Sequence, residues 1–230
     1  MIKEKIIQKT IYFSLFVQIL TTFISLDGLN YELDEKDQIL KDILLLETFV
    51  QIIEAIFYVW VILALKDLNI MTPRRYMDWI ITTPTMLLST IIFMEYLKNK
   101  KVLTLKEFLE EHKDNIIKII ILNALMLLFG YLGEIGRIDK RISVPIGFIF
   151  FYFSFKMIYD NYAKHSEMGM KLFKFLVIIW GLYGVAAMTD IKNKNIAYNL
   201  LDIVSKNFYG LFIYYYILHI HGRSDLLGSI

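Results

Sequence analysis

Long apolar runs alternate with short polar stretches along the whole chain, and seven of the runs are close to twenty residues: near 9–26, 43–65, 76–97, 115–133, 142–160, 171–189 and 196–218. About 20 apolar residues in a helix cross the roughly 30 Å of hydrocarbon in a bilayer. The pattern therefore predicts an all-α fold, a bundle of seven transmembrane helices forming one domain over residues 1–230. Two connections carry structure of their own. The acidic stretch 27–42 holds Tyr31, Leu33, Ile39 and Leu40 at spacings that suit a partly helical interfacial segment, and 98–114 reads as a short amphipathic surface helix.

Composition agrees with the pattern. Of 230 residues 57% are hydrophobic, and the mean hydropathy is +0.50. The first block follows a lysine-bearing start but has no small-residue cleavage site after Leu26, so it is read as helix one rather than a signal peptide. Cysteine is absent, which excludes disulfides, thiolate nucleophiles and cysteine metal sites. No metal site and no nucleic-acid surface is expected. A net charge of +2, with basic residues divided almost evenly between the two sets of loops, does not orient the chain.

The candidate chemistry lies in the polar residues inside the apolar blocks. Asp202 and Lys206 sit four residues apart in the seventh block, on one helix face. A charge at mid-bilayer costs about 2.5–3.5 kcal/mol even on insertion scales, so such residues are paired and face inward. The plain alternative is an ion pair joining helices; the sharper one is that Lys206 carries an aldehyde as a Schiff base, with Asp202 balancing its charge. Helix two carries Glu47 and Glu54 seven residues apart on one face, a polar pathway if both point inward. In helix three Arg75 lies one turn before Asp78 and is expected to pair with it, while Asp78, Thr82 and Ser89 share a face. Pro84 frees a backbone carbonyl that Thr83 or Thr85 is expected to satisfy. Helix one offers the row Ser14, Gln18 and Thr22, which suits a polar path or helix packing equally.

These residues resemble the microbial rhodopsins. The likeness spans all seven helices and rests on Arg75-Tyr76-Met77-Asp78-Trp79 with Thr82-Thr83-Pro84, and on Asp202-x-x-x-Lys206. It implies a buried retinal pocket with all-trans retinal covalently bound to Lys206, Asp78 and Asp202 as counterions, and Arg75 completing a cluster of zero net charge. It also implies that Trp79, Thr83, Met86, Met126, Gly130, Trp180 and Tyr183 line the pocket. Three positions depart from the best-known outward pumps: Ser89 replaces a carboxylate proton donor, Lys192 to Asn195 replace an acidic pair, and Ala187 replaces an aromatic.

In channelrhodopsins, a subset of that family, a helix-one serine, a helix-two glutamate and the asparagine after the lysine form a central gate, and Ser14, Glu54 and Asn207 match them. Glu47 matches a further glutamate nearer the cytoplasmic gate. The overall pattern is most similar to giant-virus rhodopsins. The resemblance thus implies a multi-pass membrane protein, not an enzyme, that conducts monovalent cations or protons under light, with its N-terminus outside and C-terminus cytoplasmic. A homo-oligomer is compatible with it. The competing expectation is an outward proton pump in which water replaces the missing donor. A photosensor would need a docking surface, and a purely structural membrane protein leaves Lys206 unexplained.

Overall fold

The computed structural model describes residues 2–63, 68–99 and 102–228. Its helices are α1 (Ile2–Gly28), α2 (Ile39–Leu63), α3 (Leu68–Asn99), α4 (Leu105–Glu111), α5 (Lys113–Glu134), α6 (Lys140–Asn161), α7 (Glu167–Ala187), α8 (Ile191–Asp202) and α9 (Phe208–Gly228). Six of them, all but α4, α8 and α9, are long and apolar enough to cross a membrane. The seventh crossing is α8 and α9 joined by a π-helical turn, Ile203–Asn207, in which the Phe208 N–H donates to the Ile203 carbonyl. The chain is an all-α, seven-helix integral membrane bundle.

Helix ends differ from the apolar blocks because polar residues also continue the turns. Helix three begins at Leu68, two turns before the block, and takes Pro73 and Pro84 into its length. Residues 64 and 65, expected at the end of helix two, lie outside the described residues. The surface helix expected in 98–114 is α4, opened by a capping box in which Thr104 and Glu107 satisfy each other's backbone N–H groups. Donation from the Thr104 backbone and hydroxyl holds the Glu107 carboxyl below the usual glutamate range. The 27–42 connection contains one 3₁₀ turn, Glu35–Asp37, and Asp37 accepts from Tyr96 Oη at 2.6 Å.

The bundle is inside-out in polarity relative to a water-soluble protein. Phe16, Phe23, Ile56 and Ile178 are each 60% exposed or more, whereas Glu47, Glu54, Arg75 and Asp202 are 0% exposed. Lipid takes the apolar face, and polar groups satisfy one another within. The expected threonine compensation at Pro84 is corrected by the geometry. Thr83 Oγ donates to the Trp79 carbonyl at 2.7 Å and Thr85 Oγ to the Ile81 carbonyl at 2.9 Å, so the hydroxyls serve the carbonyls beside that of Ile80, four residues before the proline.

Candidate functional site

Lys206 sits in the π turn with its ammonium group inside the bundle, 2% exposed. Its Nζ lies 2.7 Å from Asp78 Oδ2 and 4.0 Å from Asp202 Oδ1, and it is also in direct contact with Glu54 Oε2. Glu54, expected from sequence in a central gate, thus also joins the lysine's charge cluster. The cluster then has three carboxyls against Lys206 and Arg75, so it balances when one of the three carboxyls holds a proton.

Arg75 does not pair with Asp78. Its Nη1 donates to Asp202 Oδ2 at 2.9 Å and its Nη2 to Asn199 Oδ1. Tyr58 Oη donates to Asp202 Oδ2 and Tyr183 Oη to Asp202 Oδ1, each at 2.8 Å. Asp202 is thus fixed from α2, α3 and α7 together, and Asp78 is left to face Lys206. Tyr183, expected as a pocket residue, both lines the cavity and holds Asp202. Tyr58 and Asn199 escaped the sequence reading; Tyr58 was visible one turn after Glu54, on the same helix face.

Beside Lys206 is an apolar cavity of about 110 Å³. A single buried water needs roughly 10–15 Å³ by the same measure, so the space suits a sizeable apolar group. All seven expected lining residues, Trp79, Thr83, Met86, Met126, Gly130, Trp180 and Tyr183, are on its wall, as is Lys206 itself. The wall also takes Tyr76, Phe148, Phe151 and Tyr198. Tyr198 stacks on Tyr183 with ring centroids 5.6 Å apart, so α8 supplies an aromatic to a pocket that has Gly184 and Ala187, and no aromatic, on the α7 side after Tyr183. Gly130 and Gly184 are notches. An added Cβ at Gly130 would meet Tyr76 Oη at 2.8 Å, and one at Gly184 would overlap the Phe148 ring. Asn123 Nδ2 donates to Thr83 Oγ at 2.8 Å, tying α5 to α3 at the wall.

The expected trio of Ser14, Glu54 and Asn207 is not bonded together. Ser14 Oγ donates to the Asn199 carbonyl at 2.8 Å, while Asn207 Nδ2 donates to Gln18 Oε1 at 2.8 Å and Thr21 Oγ at 2.6 Å. The register of helix one sets Gln18, one turn after Ser14, level with Asn207. These residues nonetheless belong to one seam of buried polar side chains between α1, α2, α3 and the seventh crossing. On one side of Lys206 it holds Asn199, Asn195 and Thr72; on the other it holds Gln18, Gln51, Ser25, Glu47 and Ser89. Ser25 Oγ donates to Gln51 Oε1 at 3.2 Å, and Ser89 Oγ donates to Glu47 Oε1. Near the end of α5, Glu134 is gripped by Lys194 through both oxygens at 2.7 Å and by Lys140 at 3.0 Å. That triad was not legible, because Glu134 and Lys194 are sixty residues apart in sequence.

A membrane bundle encloses a buried lysine with carboxyl partners beside an aromatic-walled cavity. The sequence matches the description "Bacteriorhodopsin-like protein" over residues 9–220, and the chain belongs to that family of microbial rhodopsins. It is 24% identical over 163 residues to green-light absorbing proteorhodopsin from Gamma-proteobacterium EBAC31A08, a match covering 62% of this chain and 60% of that protein. Among solved structures, the viral rhodopsin OLPVRII aligns with TM-score 0.84 and 28% identity, covering 93% of this chain and 98% of that one. Xanthorhodopsin, described as a light-driven ion pump with dual chromophore, shares the fold at TM-score 0.75 and 16% identity, covering 98% and 96%. Family membership implies a retinal chromophore.

Proposed function

We propose that the chain is a retinal-binding, light-gated cation channel, with Lys206 holding all-trans retinal covalently. The observation that carries this reading is the seam: fully buried hydroxyl, amide and carboxyl groups run from Thr72 and Asn195 past Lys206 to Glu47 and Ser89. Inside a membrane such groups are costly unless they pair with one another or line a hydrated path, and a path lined by carboxyls favours cations over anions.

The apolar cavity against Lys206 suits the polyene, and its aromatic walls exclude water from the amine. Bound retinal supplies light absorption and double-bond isomerisation. Asp78 and Glu54 balance positive charge at the Lys206 nitrogen, and Asp202, held by Arg75, Tyr58 and Tyr183, stays fixed as their neighbour. Movement of Lys206 relative to this cluster disturbs Glu54 directly, and Glu54 stands in the seam. The pocket is thereby coupled to the path through one contact. By family resemblance, this reading has the N-terminus outside and the C-terminus in the cytoplasm.

The second reading, an outward proton pump, is favoured by the 2.7 Å contact of Lys206 Nζ with Asp78 Oδ2, which suits proton acceptance by Asp78. Whole-cell current under illumination with a voltage ramp separates the two. A channel current reverses at a potential that tracks the imposed monovalent-cation or proton gradient. Current that keeps one direction in every gradient overturns the channel reading.

A further inference from the structure

Asn199, on α8, bonds to α1, α2 and α3 at once and is 0% exposed. Its Oδ1 accepts from Arg75 Nη2 of α3 and, at 3.4 Å, from Tyr58 Oη of α2. Its Nδ2 donates to Thr10 Oγ of α1 at 2.8 Å, and Thr10 Oγ donates onward to the Ile7 carbonyl at 2.9 Å. The amide cannot turn over without setting its own N–H groups against the guanidinium, so Thr10 fixes which end Arg75 meets. The Asn199 backbone carbonyl accepts from Ser14 Oγ at 2.8 Å. That carbonyl is open to α1 because the helix is about to widen: Ile203 N–H, which an α-helical register aims at Asn199, donates instead to the Leu200 carbonyl.

Arg75 depends on this amide. A guanidinium carries five N–H groups in a fixed fork. Asp202 takes Nη1 and Asn199 takes Nη2, while Nε has no partner among the described residues. Without Asn199, Nη2 would become a second buried donor lacking an acceptor, which is costly enough to turn the side chain elsewhere. Side chains on a helix lean toward its N-terminus, so a released Arg75 moves back along α3 toward Thr72 and Asn195 and away from Asp202.

We propose that Asn199 is a positioning residue that holds Arg75 against Asp202, with α1 as its brace. The hold keeps a permanent cation on Asp202 and leaves Asp78 to Lys206. Asp202 is also faced by Glu54 and Tyr58 from α2, Asp78 from α3, Tyr183 from α7, Tyr198 from α8 and Lys206 from the π turn. From α1 the seam receives the Thr10 and Ser14 hydroxyls, neither of them charged. The hold is the same whether the seam conducts cations or not.

Nitrogen-15 NMR of arginine-labelled protein, with Arg75 assigned by its loss in Arg75→Gln, reads the hold directly and needs no retinal. The parent should show two distinct Nη signals for Arg75. Asn199→Leu, which keeps a similar volume without a polar end, should move the Nη2 signal, and Thr10→Val should move it less in the same direction. With retinal at Lys206, as proposed above, the same release strips Asp202 of its cation. Absorption at alkaline pH should then shift to the blue in Asn199→Leu. The red shift on acidification should have its midpoint at least one pH unit higher, about a tenfold change in proton affinity. Because Asn199 acts through Arg75, the double variant Arg75→Gln, Asn199→Leu should titrate like Arg75→Gln alone. An unmoved Nη2 signal in Asn199→Leu, or a titration shift that Asn199→Leu still adds in the Arg75→Gln background, overturns the proposal. Should Asn199→Leu not assemble, the Nη2 signal of Thr10→Val decides in the same way. A parent that binds no retinal contradicts the reading of Lys206 alone, and the NMR result still stands for or against the hold.

Discussion

Arg75 reaches across the bundle to Asp202, Nη1 to Oδ2 at 2.9 Å, rather than to Asp78 one turn along its own helix. Both groups are 0% exposed, and the guanidinium is flanked by the rings of Phe57, Tyr58 and Tyr198 at 5.5–5.9 Å. This pairing divides the work of the two aspartates. Asp202 is tied to a permanent cation, and Asp78 is available to the lysine.

Replacing Arg75 by Gln removes the permanent cation and leaves Asp202 buried against two tyrosine hydroxyls. Breaking one side of a buried pair costs about 3–5 kcal/mol, and the lower end is expected because Tyr58 and Tyr183 still donate. Thermal unfolding in detergent, followed by loss of the visible band, measures the cost. A melting temperature equal to the parent's would mean that the pair does not stabilise the bundle.

Lys206→Ala should yield a folded bundle with no visible band after retinal is added, because the cavity retains its walls but has no amine to bond. Absorption spectra of the purified variant check this. A variant that still forms a red-shifted pigment would remove Lys206 from its proposed role.

Gly184 accommodates the Phe148 ring, and a Cβ there has no space unless the ring turns aside into the cavity. Gly184→Ala is therefore expected to lower the yield of pigment on retinal addition, with overpacking of about 1–3 kcal/mol at the wall. Titration with retinal measures it. In the double variant Gly184→Ala, Phe148→Leu the smaller side chain should restore much of the yield.

Much of this was legible in the amino-acid pattern. The apolar blocks marked the seven crossings, and Lys206, Asp78 and Asp202 were visible as ionisable residues inside them. The features that escaped were lateral and rotational. A period of 3.6 residues gives the face on which Glu54 lies but not the height at which it meets the seventh crossing, so its contact with Lys206 could not be derived. The π turn at Ile203–Asn207 adds a residue to its turn and rotates α9 by about 100° relative to an uninterrupted helix. It sets Lys206 Nζ 4.0 Å from Asp202 and brings it closer to Asp78 and Glu54. Asn199 and Gln51 carry no distinguishing signal in the sequence, and it is the packing that puts them inside the seam.

The contact between Glu54 and Lys206 joins the pocket to the seam, and the visible spectrum of Glu54→Gln tests it most directly. The substitution keeps size and hydrogen bonding while removing one carboxyl from the cluster. At alkaline pH, once Glu54 of the parent is ionised, loss of its negative charge beside the lysine nitrogen should shift absorption to the red, in the same direction as Asp78→Asn. The cation photocurrent should change in the same preparation. A spectrum that matches the parent at every pH would contradict the placement of Glu54 against Lys206 and return it to a gate apart from the chromophore.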